Sequence, residues 1–476
     1  MEAVVGLLND LIWSRALIAL CLGAGLYFSI RTRFMQVRGL GEMLRLLLDG
    51  KESKAGVSSF QALAMSLSGR VGTGNIAGVA TAITFGGPGA VFWMWVVAFL
   101  GASTAYVEST LAQIYKEKDD KGQYRGGPAY YIEKAMGQRW YAWIFALATV
   151  IATGFLLPGV QANSIAISMT EAWGIAPTVT AAGLVVGLGM IIFGGVHRIA
   201  HFTQLVVPFM ALAYMLVALV ILFLNIGKLP EVVGLILGSA FGTEAAFGAV
   251  LGLAVEWGVK RGIYSNEAGQ GTGPHPAAAA EVSHPAKQGY VQAFSVYVDT
   301  LLVCSATAFM ILSTGLYNVM DGAGNAIVEA LPGVEAGPGY TQAAVESFLP
   351  GWGAGFVAVA LLFFAFTTIV AYYYMAETNI AYINRRVQRP WMILLLRLGI
   401  LAAVTYGTVR SAGLAWALGD IGVGLMAWLN IVAILIIQRP ALKALKDYET
   451  QKKAGKDPVF DPDALEIKNA DFWRKP

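Results

Sequence analysis

Two stretches set glycine beside polar and charged residues inside apolar runs long enough to cross a bilayer, and these are where the sequence could do chemistry. The first, Ser68-Gly69-Arg70-Val71-Gly72-Thr73-Gly74-Asn75, lies in the middle of FQALAMSLSGRVGTGNIAGVATAITFG. The second places Gly262, Ser265, Asn266, Glu267, Gly269, Gln270 and Gly271 at comparable depth in VLGLAVEWGVKRGIYSNEAGQGTG. Each glycine costs a helix interior about 1 kcal/mol relative to alanine, so the clusters predict unwound segments. Unwinding frees carbonyls for a cation and leaves a half-helix N-terminus whose N–H groups suit a carboxylate. An α-amino acid fits such a place, with its ammonium turned toward the carbonyl ends. Tight helix packing is the competing use of these glycines, and Gly74-x-x-x-Gly78 matches its pattern. Polar residues share both breaks, however, and charge at membrane depth is expensive unless functional or paired, which favours binding. A nucleotide loop fails on spacing, because Gly72-x-Gly74 is followed by Gly78 and no strand precedes it.

Eight ionisable residues are embedded in apolar runs: Arg70, Glu108, Glu256, Lys260, Arg261, Glu267, Asp299 and Glu377. Acidic and basic members are nearly balanced in the two breaks. They are therefore read as ion pairs that lock helices or gate the cytoplasmic side, with Arg70–Glu267 one expected pair, ahead of a proton relay. His197, His201, His275 and His284 fall at cytoplasmic ends without a metal spacing such as HExxH. His275 and His284 are read as loop or interfacial residues. Cys21 and Cys304 sit in apolar stretches and set up no disulfide framework.

The elements that must hold these residues are membrane helices. Of 476 residues, 57% are apolar and 13% charged, against about 25% charged in an average soluble protein. Glycine supplies 55 residues, largely inside the apolar runs, and the mean hydropathy is +0.61. Both facts point to a multi-spanning all-α membrane protein. A net charge of +3 is too small for a nucleic-acid footprint. Eleven spans are predicted, near 11–30, 60–86, 89–114, 140–168, 178–195, 202–226, 247–272, 289–316, 353–383, 391–409 and 413–438. The short alternating segments of a β-barrel do not occur. The opening MEAVVGLLND lacks a basic n-region and a small-residue cleavage site, so the first run is read as a retained span.

Lysine and arginine set the orientation. Of the 33, 26 fall in 31–59, 115–139, 385–389, the tail after 438, or at Arg198 and Lys287, all on one side. The loop 317–352 is acidic, with Asp321, Glu329, Glu335 and Glu346 and no basic residue. The N-terminus is therefore expected outside and the C-terminus inside. In FMQVRGLGEMLRLLL, Phe34, Val37, Leu40, Leu44 and Leu47 form one helical stripe, which predicts a helix lying on the inner membrane surface. The tail 439–476 is polar and lysine-rich, and is read as solvated. Residues 1–59 form an accessory region, and two blocks of five spans follow, 60–226 and 227–438. Five is odd, so homologous blocks in series must lie in opposite orientations, as in inverted-repeat transporters.

GRVGTGNIAGVATAI, GGPAYYIEKAMG, GVKRGIYSNEAGQGTGPHPAAAAE and HPAKQGYVQAFSVYVDTLLVCSATA resemble the alanine or glycine:cation symporter family across nearly all of 10–440. That resemblance implies a LeuT-type five-plus-five inverted repeat with one extra N-terminal helix, and sodium-coupled uptake of alanine or glycine. It puts the Ser68 and Val71 carbonyls on the cation. Facing them, LLFFAFTTIVAYYYMAE offers the Phe364 carbonyl and the Thr367 and Thr368 hydroxyls at i, i+3 and i+4. Five neutral oxygens suit a hard monovalent cation, whereas a divalent one would recruit carboxylates. By the same similarity the amino acid is held by Gly72, Thr73, Gly74 and Asn75 from the first break and Ser265, Asn266, Gly269 and Gln270 from the second. Gln161 and Asn163 are further candidates that could equally be interhelical glue. Tyr372 stands where the family typically has tryptophan, after Thr367-Thr368 and Ala371, and is expected to reshape the pocket.

The expected protein is thus a secondary symporter and not an enzyme, with no cofactor beyond co-transported sodium. Its expected setting is the plasma membrane, and its fold is compatible with a monomer. The alternatives are proton-coupled uptake, which predicts pH dependence without a sodium requirement, and a channel or membrane enzyme. Neither of the last two explains paired broken helices.

Overall fold

The computed structural model describes residues 2–47, 56–120, 122–389 and 391–474. It is an all-α membrane protein: among the described residues, eight helices are long and apolar enough to cross a bilayer. The outer helix surfaces are apolar. Leu205, Phe209, Leu212 and Phe223, on Gly195–Leu224, are 70–73% exposed, which in water would be a large unfavourable patch and in lipid is the ordinary state.

Three of the eleven predicted spans are not single long helices. The run 60–86 is divided into Ser59–Arg70, a wide π-helical turn Gly74–Gly78, and Val79–Gly86. The run 247–272 is the helix Leu251–Asn266, which stops short of the glycines that follow. The run 178–195 is the shorter helix Pro177–Ile192. The first span begins earlier than predicted, with Glu2–Ile12 and Arg15–Arg31 meeting at a bend where the Trp13 indole donates to the Asp420 carbonyl at 2.8 Å.

Local chemistry sets these limits. Ser58 caps Ser59–Arg70 in a capping box with Gln61, so the first half of the first broken helix has a defined start. Its second half stops at Gly87, whose φ of +67° needs glycine, followed by Pro88. The second broken helix stops because Glu267, Gly269 and Gly271 all have positive φ. The chain restarts at Pro274–Ala279 and again at Pro285–Val296, which His284 caps by accepting from the Ala286 N–H.

The region 317–352 carries more structure than a loop. It holds the hairpin Asn318–Met320/Ala326–Glu329 and the helix Pro338–Phe348, with Tyr340 buried. The segment expected to lie along the membrane surface folds into two short helices, Met35–Arg38 and Leu40–Leu47. Phe34, Val37, Leu40 and Leu44 of the expected stripe point away from the protein, while Met35, Met43 and Leu46 are buried against it. The segment is therefore apolar on both faces.

The tail corrects the sequence reading. Instead of being solvated, it forms the helix Arg439–Lys453 and folds back over the body, burying Leu445, Tyr448, Phe460, Ile467 and Ala470. Its lysines mislead because it is held by specific anchors. Lys287 pairs with Asp457 at 2.7 Å, the Phe460 N–H donates to the Ser283 carbonyl, and the Trp473 indole donates to the Gln113 carbonyl at 2.9 Å. The buried Lys116 ammonium lies 4.5 Å from the Phe472 ring and 5.2 Å from that of Trp473. Burial holds the His284 imidazole below its usual range, so it meets Asp447 (3.2 Å) as a neutral donor. His284 is thus a packed capping residue. Trp473→Ala is expected to speed amide exchange across 455–474 at least tenfold, about 1.4 kcal/mol of local opening, in hydrogen-exchange mass spectrometry. Unchanged exchange would mean the indole anchors nothing.

Candidate functional site

The first break is narrow. The helix ends when the Val71 N–H bonds the Leu67 carbonyl, and the next two N–H groups leave the ladder for side chains. Gly72 N–H donates to Asn75 Oδ1 at 2.8 Å, and Thr73 N–H donates to Gln161 Oε1 at 3.0 Å. Glycine is required at position 72, because an added Cβ would run into the Thr368 hydroxyl and come within 3.0 Å of Gln161 Oε1.

Carbonyl oxygens gather on the opposite side of this break, two from the break and one from the helix facing it. The Thr368 hydroxyl lies 2.7 Å from the Ser68 carbonyl oxygen, 2.9 Å from that of Phe364 and 3.5 Å from that of Val71. Four of the five oxygens named from sequence therefore meet at one point, on the long straight helix Gly353–Val387 and the end of Ser59–Arg70. Thr367 is attached to the cluster less directly. Its hydroxyl donates to the Phe363 and Phe364 carbonyls and faces the Met210 sulfur at 3.7 Å.

The two breaks touch. A Cβ at Gly74 would approach the Ser265 Cα to 3.0 Å, so the chains pass at glycine distance. One carboxylate joins them: Asp299 accepts from Asn75 Nδ2 at 2.6 Å, from the Ser265 hydroxyl at 2.9 Å and from the Thr300 hydroxyl at 2.7 Å. It stands on the π-helical stretch Tyr297–Cys304. Sequence reasoning had named Asp299 only as one embedded charge among eight.

Other expected substrate residues are engaged elsewhere. Asn163 donates to the Gly407 and Arg410 carbonyls at 3.0 and 2.7 Å, closing the end of a neighbouring helix as interhelical glue. Gln270 donates to the Ile263 carbonyl at 2.5 Å, and Asn266 Oδ1 accepts from the Ala268 N–H at 3.0 Å. Gly269 N–H and Gly271 N–H both donate to the Glu108 carboxylate, at 3.2 Å each. Asn430, which the sequence reading missed, donates to both Glu108 (2.7 Å) and the Gly269 carbonyl (2.9 Å). A lone amide inside an apolar run was the signal available for it. Tyr372 is buried beside Glu267 and Tyr264.

The expected Arg70–Glu267 ion pair does not form. Arg70 instead donates to the Gln292 carbonyl at 3.1 Å and to the Ser295 hydroxyl, because its helix delivers it to Pro285–Val296 rather than across the break. His275 is fully buried and bonds the Thr272 carbonyl and Asn379. On the other side of the breaks, Gln161 reaches the Tyr264 hydroxyl at 3.5 Å, and Tyr264 packs on Trp416. Above them Arg261 forms a two-point pair with Asp420 at 2.8 Å, and Lys260 meets the same carboxylate at 3.1 Å. This cluster lines a cavity of about 710 Å³ that also touches Thr81, Trp416 and the region 317–352.

The arrangement is a pair of interrupted helices crossing at glycine distance, with clustered neutral oxygens on one flank and the cavity beside Arg261 and Asp420 on the other. Comparison with known proteins gives the family. The profile of the sodium:alanine symporter family matches residues 1–462. The chain is 66% identical to YrbD of Bacillus subtilis (strain 168), over 100% of this chain and 98% of that protein. It is 57% identical to the sodium/proton-dependent alanine carrier protein of Bacillus sp. (strain PS3), over 90% of this chain and 97% of that one. It is also 35% identical to the sodium/alanine symporter AgcS of Methanococcus maripaludis, over 95% and 98% of the two chains. Matched over nearly its whole length by profile and relatives alike, the chain belongs to the sodium:alanine symporter family.

Proposed function

We propose that the chain carries alanine into the cell together with sodium, and that sodium sits among the Ser68, Val71 and Phe364 carbonyls and the Thr367 and Thr368 hydroxyls. The observation that carries this reading is the convergence on the Thr368 hydroxyl of the Ser68 and Val71 carbonyls, from the helix break, and the Phe364 carbonyl of its own helix. No carboxylate stands among these donors, which suits a monovalent ion.

The amino acid occupies the opposite flank, at Gly72, Thr73, Gly74, Asn75, Gln161, Ser265 and Tyr372. Its carboxylate takes over the Gly72 and Thr73 N–H groups, now bonded to the Asn75 and Gln161 side-chain oxygens. Those two amides are freed to turn on the ligand, and sodium holds the break in the shape that exposes the N–H groups. Transport then requires both ligands. Asn266, Gly269 and Gln270 support the second break, and Asn163 lies outside the pocket. The small glycine-lined space favours alanine and glycine over larger side chains.

In this reading the shorter and divided helices complete eleven spans of a LeuT-type inverted repeat, 60–226 and 227–438, with 1–59 as accessory and 439–476 on the cytoplasmic face. The N-terminus lies outside, the membrane is the plasma membrane, and one chain suffices. The Arg261–Asp420 cavity opens outward. A membrane potential of about 100 mV supplies roughly 2.3 kcal/mol per sodium, and a tenfold gradient adds about 1.4. Together they sustain roughly 500-fold accumulation of a neutral amino acid.

Proteoliposomes loaded without sodium test the reading. Alanine uptake is expected to need an inward sodium gradient, and uptake unchanged on replacing sodium by choline would overturn it. A proton contribution is a second reading, favoured by the name of the Bacillus sp. (strain PS3) relative. It predicts alanine-driven alkalinisation of a weakly buffered external medium at fixed sodium.

A further inference from the structure

We infer that Glu108 and Asn430 are the positioning pair that sets the shape of the second break, and through it the affinity for the amino acid. The inference rests on the amino-acid site proposed above. Gly269 and Gly271 have φ of +86° and +82°, so the segment after Asn266 has left the helix and its N–H groups have no ladder to join. Glu108, fully buried on Gly89–Ile114, supplies the replacement: one carboxylate oxygen takes Gly269 N–H and the other takes Gly271 N–H.

Asn430 completes the device from a third helix, Ala412–Ile437. Its amide nitrogen donates both to Glu108 and to the Gly269 carbonyl, and the Tyr131 hydroxyl bonds its oxygen and so fixes its orientation. Among the described residues no cation lies within ion-pair distance of Glu108, so three N–H donors meet its charge. This is a different use of an embedded acid from the helix-locking ion pair. It holds a loop with charge-assisted bonds whose geometry a neutral amide cannot copy. Glutamine would present one acceptor and one NH2 group to two N–H donors. The break carries Ser265 at its near end, against Gly74, so a shift of the loop moves the pocket wall.

The test separates alanine affinity from sodium affinity. Glu108→Gln in proteoliposomes is expected to raise the alanine KM at least tenfold at saturating sodium. Binding of radioactive sodium to the purified chain, measured without alanine, should stay within twofold of wild type, because the Ser68–Thr368 cluster is held by other residues. Asn430→Ala should move alanine KM the same way by three- to tenfold, and it carries the test if Glu108→Gln does not fold. Glu108→Asp, which keeps the charge on a shorter arm, should fall between wild type and glutamine. An alanine KM within twofold of wild type in Asn430→Ala and in any folded Glu108→Gln would overturn the inference. So would sodium binding that falls in step with alanine affinity. Failure of the proposed amino-acid site itself is seen separately, as an alanine KM that stays within twofold of wild type in Gln161→Ala.

Discussion

Thr368→Val should lose sodium-driven accumulation of alanine, with the sodium concentration for half-maximal uptake raised ten- to a hundredfold. Valine is nearly the shape of threonine, so the substitution deletes one hydroxyl and little packing. That hydroxyl is the point on which the Ser68, Val71 and Phe364 carbonyls converge. A bond to a charged partner contributes about 1.5–3 kcal/mol, which sets the expected range. Thr368→Ser keeps the oxygen and should stay within threefold of wild type. Thr367→Val should cost less than Thr368→Val, about tenfold at most, because beyond its own helix its hydroxyl faces the Met210 sulfur and not the Ser68 and Val71 carbonyls. Sodium titrations of uptake in vesicles check all three, and a Thr367 effect larger than the Thr368 effect would move the ion toward Met210. Sodium dependence unchanged in Thr368→Val would remove the ion from this cluster altogether.

Why these positions could be read from the chain, and others could not, follows from the kind of signal each one leaves. Glycine beside polar residues at membrane depth marks a broken helix because helix propensity is local, and both breaks lie where the clusters are. The i, i+3, i+4 spacing of Phe364, Thr367 and Thr368 is likewise local. It says which residues share a helix face but not how far each rotates, and Thr368 faces Ser68 while Thr367 turns toward Met210. Partners between distant helices leave no such mark. Arg70 bonding Gln292 instead of Glu267, and Asn163 capping a neighbour, depend on how helices pack. The tail shows the same limit. Lysine content predicts solvation, yet a handful of buried aromatic and aliphatic residues between those lysines suffices to fold it onto the body.

Asp299→Asn should have the largest effect of any single-atom change in the pocket wall, lowering alanine transport at least a hundredfold. The carboxylate is buried and accepts from three side chains at once, and two of these, Asn75 and Ser265, belong to the two breaks. An asparagine can keep its one oxygen on Asn75, but its NH2 group then faces the Ser265 and Thr300 hydroxyls, which must turn from donors to acceptors. The result is the loss of the charge-assisted bonds to all three partners, on the order of 3 kcal/mol. The affected contacts are where the helices cross at glycine distance, so neither break can adjust without moving the other. This gives the variant a signature distinct from Glu108→Gln. Glu108 touches the second break alone, and its loss should spare sodium binding. Asp299 holds Asn75, whose oxygen takes the Gly72 N–H just past the sodium carbonyls, so its loss should weaken alanine and sodium binding together. Parallel measurements of alanine KM and of sodium binding in the two variants decide the point. Asp299→Asn that binds sodium normally would mean the two breaks are not one mechanical unit, and coupling would then have to run through the ligands themselves.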